Sequence, residues 1–456
     1  MDSRKLVVGR VWPPDSVVRQ VIGLAWPVVV EQLLGTAVGL VNMYVAGQLG
    51  ADAIAAVGLS NQLRMLLMAL FSAVGVGATA LIARYTGAKE LEETNLIGGQ
   101  TIGLSLAVGA VAAIPCLFFG GMLMDAMGAA VAVVDLGKPY LTSMGTTMPL
   151  MALLFIGNAA LRGAGDTRTP MIVMTLVNVI NGLLTWGLVY GLGPVPALGF
   201  VGAGIAAAAG FGVGGLAVAS VLLRGHSSSG LHVTVRHLRL RRDRVKLILR
   251  IGLPSAAEQA TLRVGQLVLV GIVTQLGTTA YAGHQLAIQL LSVGFMPGFA
   301  FSVAATTLVG QELGRKSPKR AAACVSRSMW MALTVMSLAG VGVLAFARPL
   351  LRIFTSDPDV VAQGYYALQG CAAMQVPLAV YFVFAGALRG AGDTRFVLLA
   401  QAIPIWLIRL TMAPLLGIAW GFGLTGIWAA MVLDVIGRAV MVVLRFRGGK
   451  WKHLWE

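Results

Sequence analysis

The octapeptide Leu-Arg-Gly-Ala-Gly-Asp-Thr-Arg occurs twice, at residues 161–168 and 388–395, an offset of 227 in a chain of 456 residues. The same offset recurs well beyond it. Pro27, Glu31 and Gln32 return as Pro254, Glu258 and Gln259, and Gln48, Leu49 and Gly50 as Gln275, Leu276 and Gly277. Thr79, Leu81, Gly87 and Lys89 return as Thr306, Leu308, Gly314 and Lys316. A register held from residue 27 to 168 means two copies of one unit. Whatever one half folds into, the other must fold into as well.

The solvent of those copies follows from composition. Hydrophobic residues make up 57% and charged residues 11% of the chain. Water-soluble chains carry about 25% charged residues, so most of this surface must face lipid. A bilayer-crossing helix needs about 20 largely apolar residues. Such runs fall near 18–46, 55–82, 97–121, 136–161, 170–190, 199–223, 245–273, 281–309, 325–347, 361–387, 397–416 and 424–445. The expected fold is therefore all-α and integral to the membrane, with twelve transmembrane helices. Six spans per copy is an even number, so both copies enter the membrane the same way up. That predicts two parallel six-helix lobes related by a pseudo-two-fold axis along the membrane normal. The expected divisions are an N-terminal lobe over 1–223, a basic linker over 224–250 leading into the seventh helix, and a C-terminal lobe over 251–456.

Basic residues orient the expected topology. With both termini in the cytoplasm, the inside segments hold Arg4, Lys5, Arg10 and Arg19, the linker basics from Arg224 to Arg250, and Arg445, Arg447, Lys450 and Lys452. The outside loops hold only Lys138, Arg348 and Arg352. This is the positive-inside pattern, and it accounts for the net charge of +16 without nucleic acid as a partner. The linker run from Arg236 to Arg242 suits anionic headgroups of the bilayer. No cleavable signal precedes the first apolar run, which is read as a retained span of a multi-pass plasma (inner) membrane protein. Cys116, Cys324 and Cys371 stand at unrelated spacings and give neither a disulfide framework nor a metal site.

The chain offers no catalytic constellation: no phosphate loop, zinc spacing or nucleophile elbow, and histidines that are scattered. It is not read as an enzyme, and no cofactor is expected. What remains are ionisable groups inside spans, which are costly there and usually functional. Glu31 lies about mid-depth in the first span, at about 1.5 Å per residue from Arg19. Glu258 holds the matching place. Each follows a proline by four residues, where the helix has one backbone donor fewer and can bend. A carboxylate beside such a point suits a proton or cation site; the alternative is a static ion pair, with Arg64 or Arg263 as candidate partners. Asp434 and Arg438 are four apart on one helix, and Arg409 on the preceding span can join them in a structural charge cluster. Neutral polar residues that could line a cavity or an ion site are Gln32, Asn42, Tyr44, Asn178, Asn181, Thr185, Gln259, Gln266 and Gln285, with Arg263 among them. The octapeptide itself, with Gly163 and Gly165 for a turn and Asp166 to cap the next helix, reads as a hinge or lipid anchor.

Twelve spans in two copies resemble the multidrug and toxic compound extrusion (MATE) family. So does the run Leu24, Ala25, Trp26, Pro27, followed by the stretch from Gly47 to Val57, and so does the doubled octapeptide after the fourth and tenth spans. The resemblance implies a secondary antiporter that expels amphipathic, often cationic compounds against entry of H⁺ or Na⁺, working as a monomer. A lipid-linked precursor flippase of the same superfamily is the alternative, kept open by Arg64, Arg263 and Arg409. The chain departs from the family pattern in places. Where many members have an aspartate late in the first helix, Asn42 stands here. Asn181 is followed four residues on by Thr185 instead of Asn or Asp, and 371–387 contains no acid. Glu31 and Glu258 remain as the coupling carboxylates that the resemblance leaves, similar to glutamates at these places in a bacterial branch.

Overall fold

The computed structural model describes residues 17–191, 196–225 and 230–454. The tail basics Arg4, Lys5 and Arg10 and the linker residue His226 lie outside them. Among the described residues all regular structure is helical. In lipid no water is present to take backbone hydrogen bonds, so an apolar chain closes them inside helices. Among the described residues eleven helices are long and apolar enough to span a bilayer, or twelve when one bent pair counts as a single span.

The elements of the first copy are α1 (Val17–Leu49), α2 (Ala51–Ala88), α3 (Leu91–Phe118), α4 (Gly120–Ala126), α5 (Val131–Thr146), α6 (Met148–Ala164), α7 (Arg168–Tyr190) and α8 (Gly199–Arg224). The second copy supplies α9 (Arg242–Thr274), α10 (Thr278–Gly314), α11 (Pro318–Ala345), α12 (Ala347–Phe354), α13 (Pro358–Gly390), α14 (Thr394–Pro404), α15 (Leu410–Pro414) and α16 (Gly423–Arg447). At 38 residues, α2 is about 57 Å long and extends well past the ~30 Å hydrocarbon layer.

The fourth apolar run, expected as one helix, is the bent pair α5 and α6, broken at 59°. Pro149 sits in the first turn of α6. It offers no N–H to continue the preceding helix and crowds the residue before it. The linker also differs from the expectation. Its last part is already helical, since α9 starts at Arg242, and the segment before it is tied down on α3. Gln100 Nε2 donates to the carbonyls of His237 and Arg239, both at 2.9 Å, and Gln100 Oε1 accepts from the Arg241 amide at 2.7 Å. Arg244 pairs with Glu93 at 2.9 Å. The side chains of Arg236, Arg239, Arg241 and Arg242 still face outward.

Packing divides the described residues into two compact units, one over 26–256, the other over 17–25 with 257–454. Each unit repeats the other's backbone devices. Helices α3 and α11 begin and end 227 residues apart. Gly165 and Gly392 end α6 and follow α13 at φ 95° and 85°, and Lys89 and Lys316 occupy the left-handed region at 62° and 56°. Thr79 Oγ1 lies 2.8 Å from the carbonyls of Gly75 and Ala159. Thr306 Oγ1 lies 2.8 and 2.9 Å from those of Ser302 and Gly386. A Cβ on Gly163 would meet the Thr79 backbone, and one on Gly390 the Thr306 backbone. These glycines let α6 press on α2 and α13 press on α10.

Candidate functional site

That close approach fixes where the neighbouring arginines go. With Gly163 against α2, Arg162 turns toward α1, and its Nη1 donates to Glu31 Oε1 at 2.7 Å. In the second copy Arg389 Nη2 meets Glu258 Oε1 at 2.5 Å. Each pair spans 131 residues. The expected partners are therefore corrected. Arg64 instead bonds Asn61 one turn away on its own helix at 2.7 Å, and Arg263 bonds Gln266 at 3.3 Å. A local amide is within easy reach of each of those guanidinium groups. The octapeptide is likewise more than a hinge or lipid anchor, because its first arginine is turned into the protein. Its last arginines, Arg168 and Arg395, are exposed.

Both glutamates are buried, at 7% and 4% exposure. Removing a carboxylate from water is costly unless it is paired, and here the paired charge comes from a helix end. The two environments then diverge. Glu31 Oε1 also faces Asn158 Nδ2 at 3.4 Å. Glu258 Oε1 lies 3.2 Å from Tyr381 Oη, which donates to Gln401 Oε1 at 2.7 Å. Gln401 Nε2 in turn donates to the Glu258 carbonyl at 2.8 Å. Asn158, Tyr381 and Gln401 are not among the residues singled out from the sequence, although each is a polar residue inside an apolar run like Asn42 or Asn178.

The cluster of Asp434 with two arginines is deeply buried. Arg409 Nη2 meets Asp434 Oδ2 at 2.6 Å, and Arg438 donates through Nη2 at 2.5 Å and through Nε to Oδ1 at 2.9 Å. Arg438 also lies over the Tyr381 ring at 5.9 Å, which links this cluster to the Glu258 surroundings. Five-residue π turns at Ile405–Arg409 and Leu415–Ala419 follow Pro404 and Pro414, and the first one ends on Arg409.

The remaining sequence candidates differ in burial. Asn42, Asn181 and Thr185 are buried, with Asn42 Oδ1, Asn181 Nδ2 and Thr185 Oγ1 unpartnered. Asn178 Nδ2 is spent on the Met174 carbonyl one turn back, at 2.8 Å. Tyr44, Gln259 and Gln285 are exposed, and Gln32, Arg263 and Gln266 half-buried. Tyr44 and Thr185 share a largely apolar hollow of about 420 Å³ with Leu40, Val41, Gly182 and Trp186. It lies between α1 and α7 within the first copy.

The model of the MatE family matches residues 27–186 and 254–415, two stretches that begin at the repeated prolines. The chain is 30% identical over 444 residues to the probable multidrug resistance protein NorM of Thermotoga maritima, covering 95% of this chain and 93% of that one. It is 26% identical to the multidrug resistance protein MdtK of Yersinia pseudotuberculosis, over 94% of this chain and 95% of that one. An outward-facing multidrug resistance MATE family transporter of the MOP superfamily has the same fold. The TM-score is 0.88 at 24% identity, covering 95% of this chain and 96% of that one.

Proposed function

Since this chain belongs to the MatE family, a family of multi-pass membrane transporters, we propose that it is a secondary antiporter of the inner membrane. It expels amphipathic, cationic drugs or metabolites in exchange for H⁺ or Na⁺, by alternating access, and works as a monomer. The observation that carries this reading is the buried glutamate–arginine pair present once in each copy. A charge pair buried inside a spanning segment is a costly feature to keep, and costly charges in membranes mark ion pathways. A proton or Na⁺ arriving at such a glutamate competes with its arginine, so the ion can change how two helices hold each other. The relatives named multidrug resistance proteins support a drug-like substrate.

The test is dye efflux from proteoliposomes with a pH gradient or a Na⁺ gradient imposed separately. Wild-type protein moves dye on one of them, and the double variant Glu31→Gln with Glu258→Gln does not. A double variant that pumps at the wild-type rate removes both glutamates from the coupling.

A further inference from the structure

The two glutamates match in register but not in surroundings. Glu31 Oε2 is buried and accepts no hydrogen bond, and neither does Oδ1 of Asn158. Asn158 is 1% exposed, and its Nδ2 already faces Glu31 Oε1 at 3.4 Å. Two oxygen acceptors on adjacent side chains, one from α1 and one from α6, thus stand in the interior without a donor. Interior polar atoms are ordinarily satisfied, and each exception calls for a physical explanation. A ligand that satisfies two oxygens at once is positive and small. A proton on Glu31 Oε2 turns that oxygen from an acceptor into a donor. A hard monovalent cation such as Na⁺ suits oxygen atoms of this kind, a carboxylate and an amide carbonyl, since hard cations prefer oxygen ligands.

The second copy lacks this arrangement. Where α6 has Asn158, α13 has Ala385, which offers no oxygen. Where the first copy has Leu154 and Met174, the second has Tyr381 and Gln401, which bind Glu258 and its carbonyl. Glu258 Oε1 is held by both Arg389 and Tyr381. We infer that Glu31 and Asn158 form the site for one exchangeable small cation, a proton or Na⁺, and that Glu258 is a fixed tie.

The role of this site in transport rests on the antiport reading, whereas its occupancy does not. Arg162, from α6, is the charged group that the structure sets against Glu31. The cation and Arg162 share one carboxylate. A loaded Glu31 holds Arg162 less strongly, so loading loosens α1 from α6 and release tightens them. A ligand that acts on two states differently in this way shifts their balance.

The experiment uses the full chain in lipid nanodiscs. Radioactive Na⁺ is measured by equilibrium binding, and proton uptake by the infrared band of a protonated carboxyl in acid-minus-neutral difference spectra. Wild type gives one Na⁺ per chain or one carboxyl band. The signal is lost in Glu31→Gln, lost or shifted in Asn158→Ala, and kept in Glu258→Gln. Alanine is the residue α13 already carries at the matching place, so the fold tolerates it, and a thermal melt confirms this. Asn158→Asp, which keeps an acceptor oxygen, retains the signal. A signal that survives Glu31→Gln, is unchanged in Asn158→Ala, or is absent from wild type with both probes overturns the inference. If the signal follows Glu258 while dye still moves on a gradient, the site falls and the antiport reading stands. If the signal behaves as stated while no gradient moves dye, the antiport reading falls and the site stands.

Discussion

The two copies keep the same contacts where backbones touch and differ where side chains meet charge. Thr79 and Thr306 bridge the same two carbonyl positions, and Gly163 and Gly390 press on the same threonines. Around the glutamates the copies part. The second carries Tyr381, Gln401, Arg409, Asp434 and Arg438, where the first has Leu154, Met174, Gly182, Ala207 and Phe211. The helices differ in the same way. Helix α7 is regular over Arg168–Tyr190, while its counterpart is interrupted by two π turns that follow Pro404 and Pro414. The matching residues in α7 are Val177 and Gly187, which retain their N–H donors. Close backbone packing tolerates almost no change, so it was preserved. Single polar or proline substitutions inside a finished frame are survivable, and they gave each copy its own interior.

This comparison can be attacked from its strongest element downward. Arg162→Ala and Arg389→Ala each leave a buried carboxylate without its cation, a loss of about 3–5 kcal/mol. Denaturation curves should show both variants destabilised, and a silent member would mean that its carboxylate does not depend on the arginine. Next, Gly163→Ala and Gly390→Ala drive a methyl group into backbone, at a cost of about 1–3 kcal/mol each. Thermal melts in detergent should again give matched losses. Tyr381→Phe removes a hydroxyl that bonds Gln401 and faces Glu258, for roughly 1–3 kcal/mol. The smallest effect belongs to Thr79→Val and Thr306→Val, each removing one hydrogen bond worth about 1 kcal/mol. A clear inequality between these last two would show that the shared frame is less equal than its geometry.

Much of this frame was legible beforehand. The offset of 227, the spans and the buried glutamates follow from counting apolar runs and matching residues. The break between α5 and α6 was signalled by Pro149, yet the run around it was apolar enough to read as one helix. The partners of Glu31 and Glu258 were not legible. Arg64 and Arg263 were nearer in sequence, and nothing in a linear pattern says which face of α6 or α13 meets α1 or α9. The separation of 131 residues was repeated in both copies, but only because both members follow the repeat. Asn158 opposite Ala385 is visible as a mismatch in register, and it gains meaning only beside a carboxylate.

The placement of the two pairs also bears on the history of the chain. Glu31 and Arg162 both belong to the first half, and Glu258 and Arg389 both belong to the second. A gene duplication of a half-length ancestor therefore copied each lock whole. Neither half had to wait for the other to neutralise its carboxylate, so the fused descendant was charge-balanced at these positions from its first generation. Selection could then act on one half at a time, with the spare lock holding while its twin was altered.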